Sequence, residues 1–407
     1  MLSLSKTNPQ LISRVEQWLY VWTLVLLASL CFSTALMEIS CVAILAGWVF
    51  LRVSGVKPPE LDRKMLFTLL AYVFLSSISF FWSEFPKQSY RGVLKVLKGL
   101  LVFLAVTEAL SAREKHQRAT QILIFSFIFL GINGVWQYAS GFDLTRRIPY
   151  EAASSGPRIS ASFRNYGLLA CYLVSFLPLL PPALGKKAKP RQLWITSLAF
   201  TFGLLLLFWT RLRGAWIAFV AGAGFWIWNS KRRKIFLALV GLIVLTGVLV
   251  LPHSKIIHLD AEGKEQSLVE RYYLWDRAVQ VIKARPLTGT GINTYAVAHQ
   301  KFDRHQNWRV KNYYAHNGYL QMAAETGLPS LGFFLAFLFF YFTGAFKTLR
   351  NSGEGPTKRT ILGFLTGLIN FLVLSVIDTP LHNPPSVMAF WFLAGWGMAF
   401  QASCRTD

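Results

Sequence analysis

The sequence predicts an all-α, polytopic integral membrane protein of about 12 transmembrane helices with one large helical loop on the outer face. Apolar residues make up 54% of the chain against 15% charged, and the mean hydropathy is +0.41. At that balance, apolar runs of about 18 residues or more are read as membrane spans. The Lys and Arg residues behind the formal net charge of +23 gather in short connections between such runs. Placed there, they orient a membrane chain and do not call for nucleic acid.

The first run, Trp18 to Leu36, is too long for the apolar region of a signal peptide and follows a polar stretch from Ser3 to Arg14, so it is read as a retained span. Further runs lie at about 38–51, 65–82, 93–110, 119–139, 165–184, 192–210, 212–229, 234–251, 328–346, 360–377 and 386–403. The second is the weakest, because Glu38 and Arg52 leave it short. If twelve spans alternate, Lys57, Arg63, Lys64, Arg113, Lys115, Arg118, Lys186, Lys187, Lys189, Arg191, the run Lys231 to Lys234, Lys347, Arg350, Lys358 and Arg359 share one side, which is the cytoplasm. Both termini are then cytoplasmic, and in a bacterial inner membrane the remaining loops are periplasmic. The chain divides into spans one to nine over 1–251, a periplasmic loop over 252–327, and spans ten to twelve over 328–407. Four cysteines, three of them in or beside apolar runs, give no disulfide framework.

Function is sought in that loop and in the charges that break the orientation rule. The loop holds five of the seven histidines, His253, His258, His299, His305 and His316. None has a metal-ligand spacing, since there is no His-Glu-x-x-His and no paired Cys. The stretch Tyr313 to Gly327 reads as a short helix starting near Ala315 and ending at Gly327, with Pro329 after it. His316 then stands in the first turn, where the helix dipole favours a neutral imidazole fit to accept a proton. Glu325 is nine residues further on and cannot pair with it inside one helix. Upstream, Ser267 to Glu270 is a capping box for an amphipathic helix with Leu268, Tyr272, Trp275, Val279 and Ile282 on its apolar face. That helix is stopped by Pro286 and turned by Thr288-Gly-Thr-Gly291. Arg271 flanks the apolar face.

Arg211 and Arg213 lie between two apolar runs with no room for a true loop, where charge is costly unless paired or facing a wet cavity. Arg158 and Arg164 reach the outer face just before a span that Asn165 is suited to cap. Arginine forks match phosphate oxygens. Several arginines and one candidate base on a face open to lipid therefore imply an anionic, membrane-embedded substrate, most simply a lipid diphosphate.

These segments resemble the O-antigen ligase family, within the superfamily of O-antigen polymerases and protein O-oligosaccharyltransferases. The matching residues are Arg158-Ile-Ser-Ala-Ser-Phe with Asn165, Arg213-Gly-Ala-Trp, Arg271-Tyr-Tyr-Leu-Trp with Pro286-Leu-Thr-Gly-Thr-Gly291, and His316-Asn317-Gly-Tyr-Leu with Glu325-Thr-Gly327. The resemblance implies transfer of a polysaccharide from undecaprenyl diphosphate to a sugar hydroxyl of the lipid A core, with no cofactor, nucleotide or metal. It implies His316 as general base, Arg158, Arg211, Arg213 and Arg271 on the diphosphate, and Asn165, Asn317 and Gly327 in support. The implied partners are the glycan-bearing carrier lipid, the lipid A core and membrane lipids. A polymerase or a protein-glycosylating relative would share donor and base. A glycan transporter would also explain many spans and buried arginines, but would not need a helix-borne histidine in a large loop.

Overall fold

The fold was obtained as a computed structural model that describes residues 8–152, 156–183, 189–229, 266–302 and 313–404. The expected span at 234–251, together with His253, His258, His305 and Lys311, lies outside the described residues. Among them the architecture is all α-helical, apart from isolated β-bridges Phe142 to Pro149 and Glu151 to Arg158.

The chain enters through α1 (Pro9–Ser29), α2 (Thr34–Val53), α3 (Arg63–Ile78), α4 (Pro86–Ala109) and α5 (Arg113–Ser140). It continues through α6 (Tyr166–Phe176), α7 (Pro190–Trp209) and α8 (Arg213–Trp228). After α9 (Gln266–Ala284) and the single turn α10 (Tyr295–Ala298) come α11 (Gly318–Asn351), α12 (Pro356–Ile377) and α13 (Pro384–Ser403). Among the described residues, seven helical segments are long and apolar enough to cross a bilayer: 9–29, 34–53, 63–82, 113–140, 190–209, 318–351 and 356–377. The chain is thus a polytopic helical membrane protein, while the number twelve is a sequence count. None of the four cysteines is in a disulfide.

The weak second run forms a full helix of 20 residues. Its charges are answered by neighbours, Glu38 by Lys98 at 2.5 Å and Arg52 by Glu108 at 2.6 Å, both on α4. Helix α1 begins earlier than the apolar run because Asn8 caps it, accepting from Gln10 N–H, and Ser33 ends the run by capping α2. The bundle centre is aromatic: Phe103, Phe337, Tyr72 and Trp391 meet where α3, α4, α11 and α13 pack together. Around it, α12 packs on α6 and α8, and α5 packs on α7. Every functional feature below sits where α6, α8 and α11 begin and α12 ends.

Candidate active site

Helix α11 starts at Gly318, three residues later than the sequence pattern suggests, and this decides the geometry of its histidine. Asn317 is the N-cap, its side-chain oxygen accepting from the backbone N–H of Tyr319 and Leu320 at 3.0 Å each. His316 therefore precedes the helix, in the left-handed region at φ 47°, an uncommon conformation for a residue with a Cβ. Two contacts hold it there. Trp275 on α9 donates its indole N–H to the His316 carbonyl at 3.4 Å, and the ring Nδ1 lies 3.3 Å from Asp378 Oδ1. Asp378 directly follows α12; it accepts from Thr379 N–H at 2.8 Å, and its carbonyl accepts from Gly318 N–H at 3.0 Å. Burial pushes the Asp378 carboxyl up, but the hydrogen bond and charge of His316, the Thr379 N–H and the Arg271 charge outweigh it and hold the group below the usual carboxylate range. An ionised Asp378 on Nδ1 fixes the proton there and leaves Nε2 as the acceptor. Both side chains remain about one-third exposed, 31% and 32%, so a substrate can reach the ring.

The arginines approach this pair from three elements. Arg158 stacks on the Tyr166 ring, its guanidinium 4.8 Å from the centroid. Its Nη1 meets Glu151 at 2.9 Å and the Tyr166 hydroxyl at 3.1 Å, while its buried Nε has no protein partner. Tyr166 opens α6 behind its cap Asn165, which accepts from Leu168 N–H at 2.9 Å. Tyr166 and Glu151 thus hold the Arg158 guanidinium at the start of α6. Arg271 is half-buried on α9, one turn before Trp275. Arg213 begins α8, and Gly214 beside it packs against Ile377, the residue before Asp378. Arg211, at φ 52° in the break between α7 and α8, donates from Nε to the Pro157 carbonyl at 3.3 Å. It thereby braces the loop that presents Arg158, which Gln137 also holds through Ser160 and Ala161 N–H.

A second polar cluster lies beneath the histidine. Gly327 breaks α11 at φ 81°, and a Cβ there would collide with the Leu287 carbonyl. Gly289, at φ 64°, has the same relation to the Glu325 backbone. Thr290 and Gly291 N–H donate to the Ala324 and Glu325 carbonyls at 3.0 and 2.9 Å, and Leu328 N–H to Pro286 at 2.8 Å. The Thr-Gly-Thr-Gly turn is thus a docking surface for the α11 break. Beside it the Glu325 carboxylate, 6% exposed, accepts from Asn293 and Tyr295 N–H and from Gln321 at 2.7, 3.0 and 3.1 Å. Lys95 on α4 donates to Asn293 Oδ1 at 2.9 Å and to the His382 carbonyl at 2.7 Å. Gln321 also meets His382 Nδ1 at 2.9 Å. Lys95, Gln321, Glu325 and His382 border a cavity of about 60 Å³ that Gly318 and Thr379 also line.

The structure therefore brings His316, Arg158, Arg213 and Arg271 to one end of the bundle, with Arg211 bracing. Asn165 and Asn317 act as helix caps and Gly327 as a break. Asp378 and Lys95 were missed. The available signal was a charge at or inside a span end, Asp378 closing the run 360–377 and Lys95 within 93–110, which in a membrane is functional by default. The amphipathic face of α9 also differs from the expected one. Leu274, Ala278 and Val281 are buried, while Tyr272 and Val279 are exposed, because α9 docks on Tyr295, Ala315 and Ala324. The capping-box side chains Ser267 and Leu268 lie outside the described ones.

Two comparisons bear on this arrangement. Residues 198–335 match a family model described as O-antigen ligase, a stretch that contains Arg211, Arg213, Arg271, His316 and Gly327. The exopolysaccharide production protein ExoQ of Rhizobium meliloti (strain 1021) is 23% identical over 351 residues, covering 80% of this chain and 76% of that protein.

Proposed function

We propose that the chain is a member of the O-antigen ligase family, whose model matches residues 198–335, and that it transfers a polysaccharide from undecaprenyl diphosphate to a sugar hydroxyl of the lipid A core, at the periplasmic face of a bacterial inner membrane. The observation that carries this reading is His316, its ring 3.3 Å from Asp378 and about one-third exposed, at the end of the bundle that also holds Arg158, Arg213 and Arg271. In the proposed reaction Nε2 of His316 takes the proton of the acceptor hydroxyl as its oxygen attacks the anomeric carbon. The bond from that carbon to the diphosphate oxygen breaks, and the electron pair leaves with the carrier-lipid diphosphate. Arg158, Arg213 and Arg271 hold the diphosphate and stabilise the charge that grows on it. Arg211 shapes the loop and adds its charge to the same end. Direct displacement inverts the anomeric centre.

A second reading shares donor and base but ends on another lipid-linked glycan, as in a polymerase. It is favoured by the likeness to a protein named for exopolysaccharide production. The purified chain, given lipid-linked polysaccharide and lipid A core, separates the two. Transfer to the core by wild type, lost in His316→Ala, is the expected result. Longer glycan on the carrier lipid with none on the core would replace the ligase by the polymerase. Undiminished transfer by His316→Ala would remove the histidine from the chemistry.

A further inference from the structure

Two tyrosines near His316 keep their rings open, and nothing in the proposed reaction uses them. Tyr313 stands three residues before the histidine, its ring centroid 6.3 Å from the imidazole, and is 48% exposed. Tyr272 on α9 is 65% exposed. It meets Trp275 nearly at right angles, with ring centroids 5.6 Å apart, and Trp275 in turn donates its indole N–H to the His316 carbonyl. Three aromatic side chains and the base therefore form one chain of contacts, with His316 between Trp275 and Tyr313.

Their sequence neighbours show what a tyrosine does here when the fold needs it. Tyr314 is half-buried, its ring centroid 4.1 Å from that of His382, and Tyr273 lies under the Arg277 guanidinium at 5.0 Å. Tyr272 and Tyr313 bury far less of themselves. An exposed aromatic in a membrane protein is commonly an anchor among the headgroups. The exposed stripe of α9, however, runs through Tyr272, Asp276, Val279 and Lys283. A stripe that carries an acid and a lysine meets water and not acyl chains, so Tyr272 is an aromatic ring held open on a wet face.

Such rings suit a sugar. A pyranose carries its hydroxyls around the rim and leaves a C–H face, which an open aromatic face receives through its negative quadrupole while water is excluded from both. The base decides which sugar lies there. Nε2 of His316 must come within hydrogen-bond reach of the hydroxyl it deprotonates, so the ring that bears this hydroxyl is the one beside the imidazole. The donor end is fixed instead by its diphosphate on the arginines.

Resting on the transfer proposed above, we propose that Tyr272, Trp275 and Tyr313 form the platform on which the acceptor sugar stacks, with its hydroxyl turned to His316. The test is titration of the full chain in detergent, without donor and therefore without turnover, with core oligosaccharide freed of its lipid, read by calorimetry. Tyr272→Ala and Tyr313→Ala should each weaken binding about tenfold, and both tyrosines are exposed enough for the variants to fold. Tyr272→Phe and Tyr313→Phe, which keep the ring face, should bind like wild type. Trp136→Ala, which removes another exposed aromatic on α5, should leave binding unchanged. With donor added, the two alanine variants should raise KM for the lipid A core by about the same factor as they weaken binding, with kcat and the donor KM kept. Loss in the phenylalanine variants as well would make the hydroxyls the contact and overturn stacking. Equal loss in Trp136→Ala, no binding by the wild-type chain, or a raised donor KM in place of a raised acceptor KM would overturn the platform. Binding in the expected pattern by a chain that transfers nothing to the core would keep the sugar site and overturn the proposed transfer.

Discussion

Two clusters of charge flank the start of α11, and they differ in how much of their bonding capacity they keep for themselves. Below, Glu325 accepts from three donors, Lys95 bonds two partners and the Gln321 side chain three, within a buried network. Above, His316 and Asp378 share one long contact and stay one-third exposed, and Arg158 keeps a buried Nε without a protein partner. A saturated network fixes where backbones sit; an unsaturated one is available to a substrate. On the proposed function, the lower cluster serves as architecture and the upper one as the chemistry.

The comparison breaks if the two clusters respond alike to substitution. The largest separation is expected from His316→Ala, which should lower glycan transfer by about 10²–10⁴-fold with the melting temperature nearly unchanged. Glu325→Ala should do the reverse. It leaves Lys95 in a buried site without its counter-charge and strands three donors, a loss of about 3–5 kcal/mol, read as a lowered melting temperature or failure to purify as a folded species. If Glu325→Ala instead melts like wild type and is merely inactive, the lower cluster belongs to the chemistry. Asp378→Asn sharpens the upper half. An amide no longer fixes the Nδ1 proton, so kcat should fall by about 10–10³-fold while donor binding, measured with the lipid diphosphate, is kept. Lost donor binding would make Asp378 a substrate-site organiser.

The smallest expected effect is on pH dependence. Burial, and then the Lys95 charge, push His382 well below the ordinary histidine value of 6.5. The unfolded chain takes up a proton near that pH and the folded chain does not, so stability falls as pH drops below about 6.5. Asp378 acts in a lower window: its contribution is present above the ordinary carboxylate value of 3.8 and is lost only as pH falls through its depressed folded value. Between pH 7 and 5 only the histidine of these two contributes, and His382→Gln should flatten the fall of melting temperature with acid. An unchanged slope would show that His382 takes up its proton without opposition.

The class of fold was legible because membrane spans announce themselves in composition, and the histidine and arginines because charge at a span boundary is rare. The distribution of partners was not. Glu38 and Arg52 made α2 look short, and only their pairing with Lys98 and Glu108, on a helix about 60 residues away in sequence, shows why it forms. Asp378 lies 62 residues from His316, beyond any helical spacing. The start of α11 turned on which of two adjacent polar side chains caps it. Asn317 does so and displaces His316 into the left-handed turn, a local competition that periodicity does not register.

His316 takes its carbonyl anchor from α9, its ring orientation from the end of α12, and its place in the chain from the cap of α11. These three pieces leave the biosynthetic machinery at different times, the last of them close to the C-terminus. If His316 is the proposed base, it would behave as a coincidence detector: a chain with any one piece unplaced would have a histidine but no oriented acceptor nitrogen. Reactivity in the proposed transfer would then wait until the whole bundle is in the membrane.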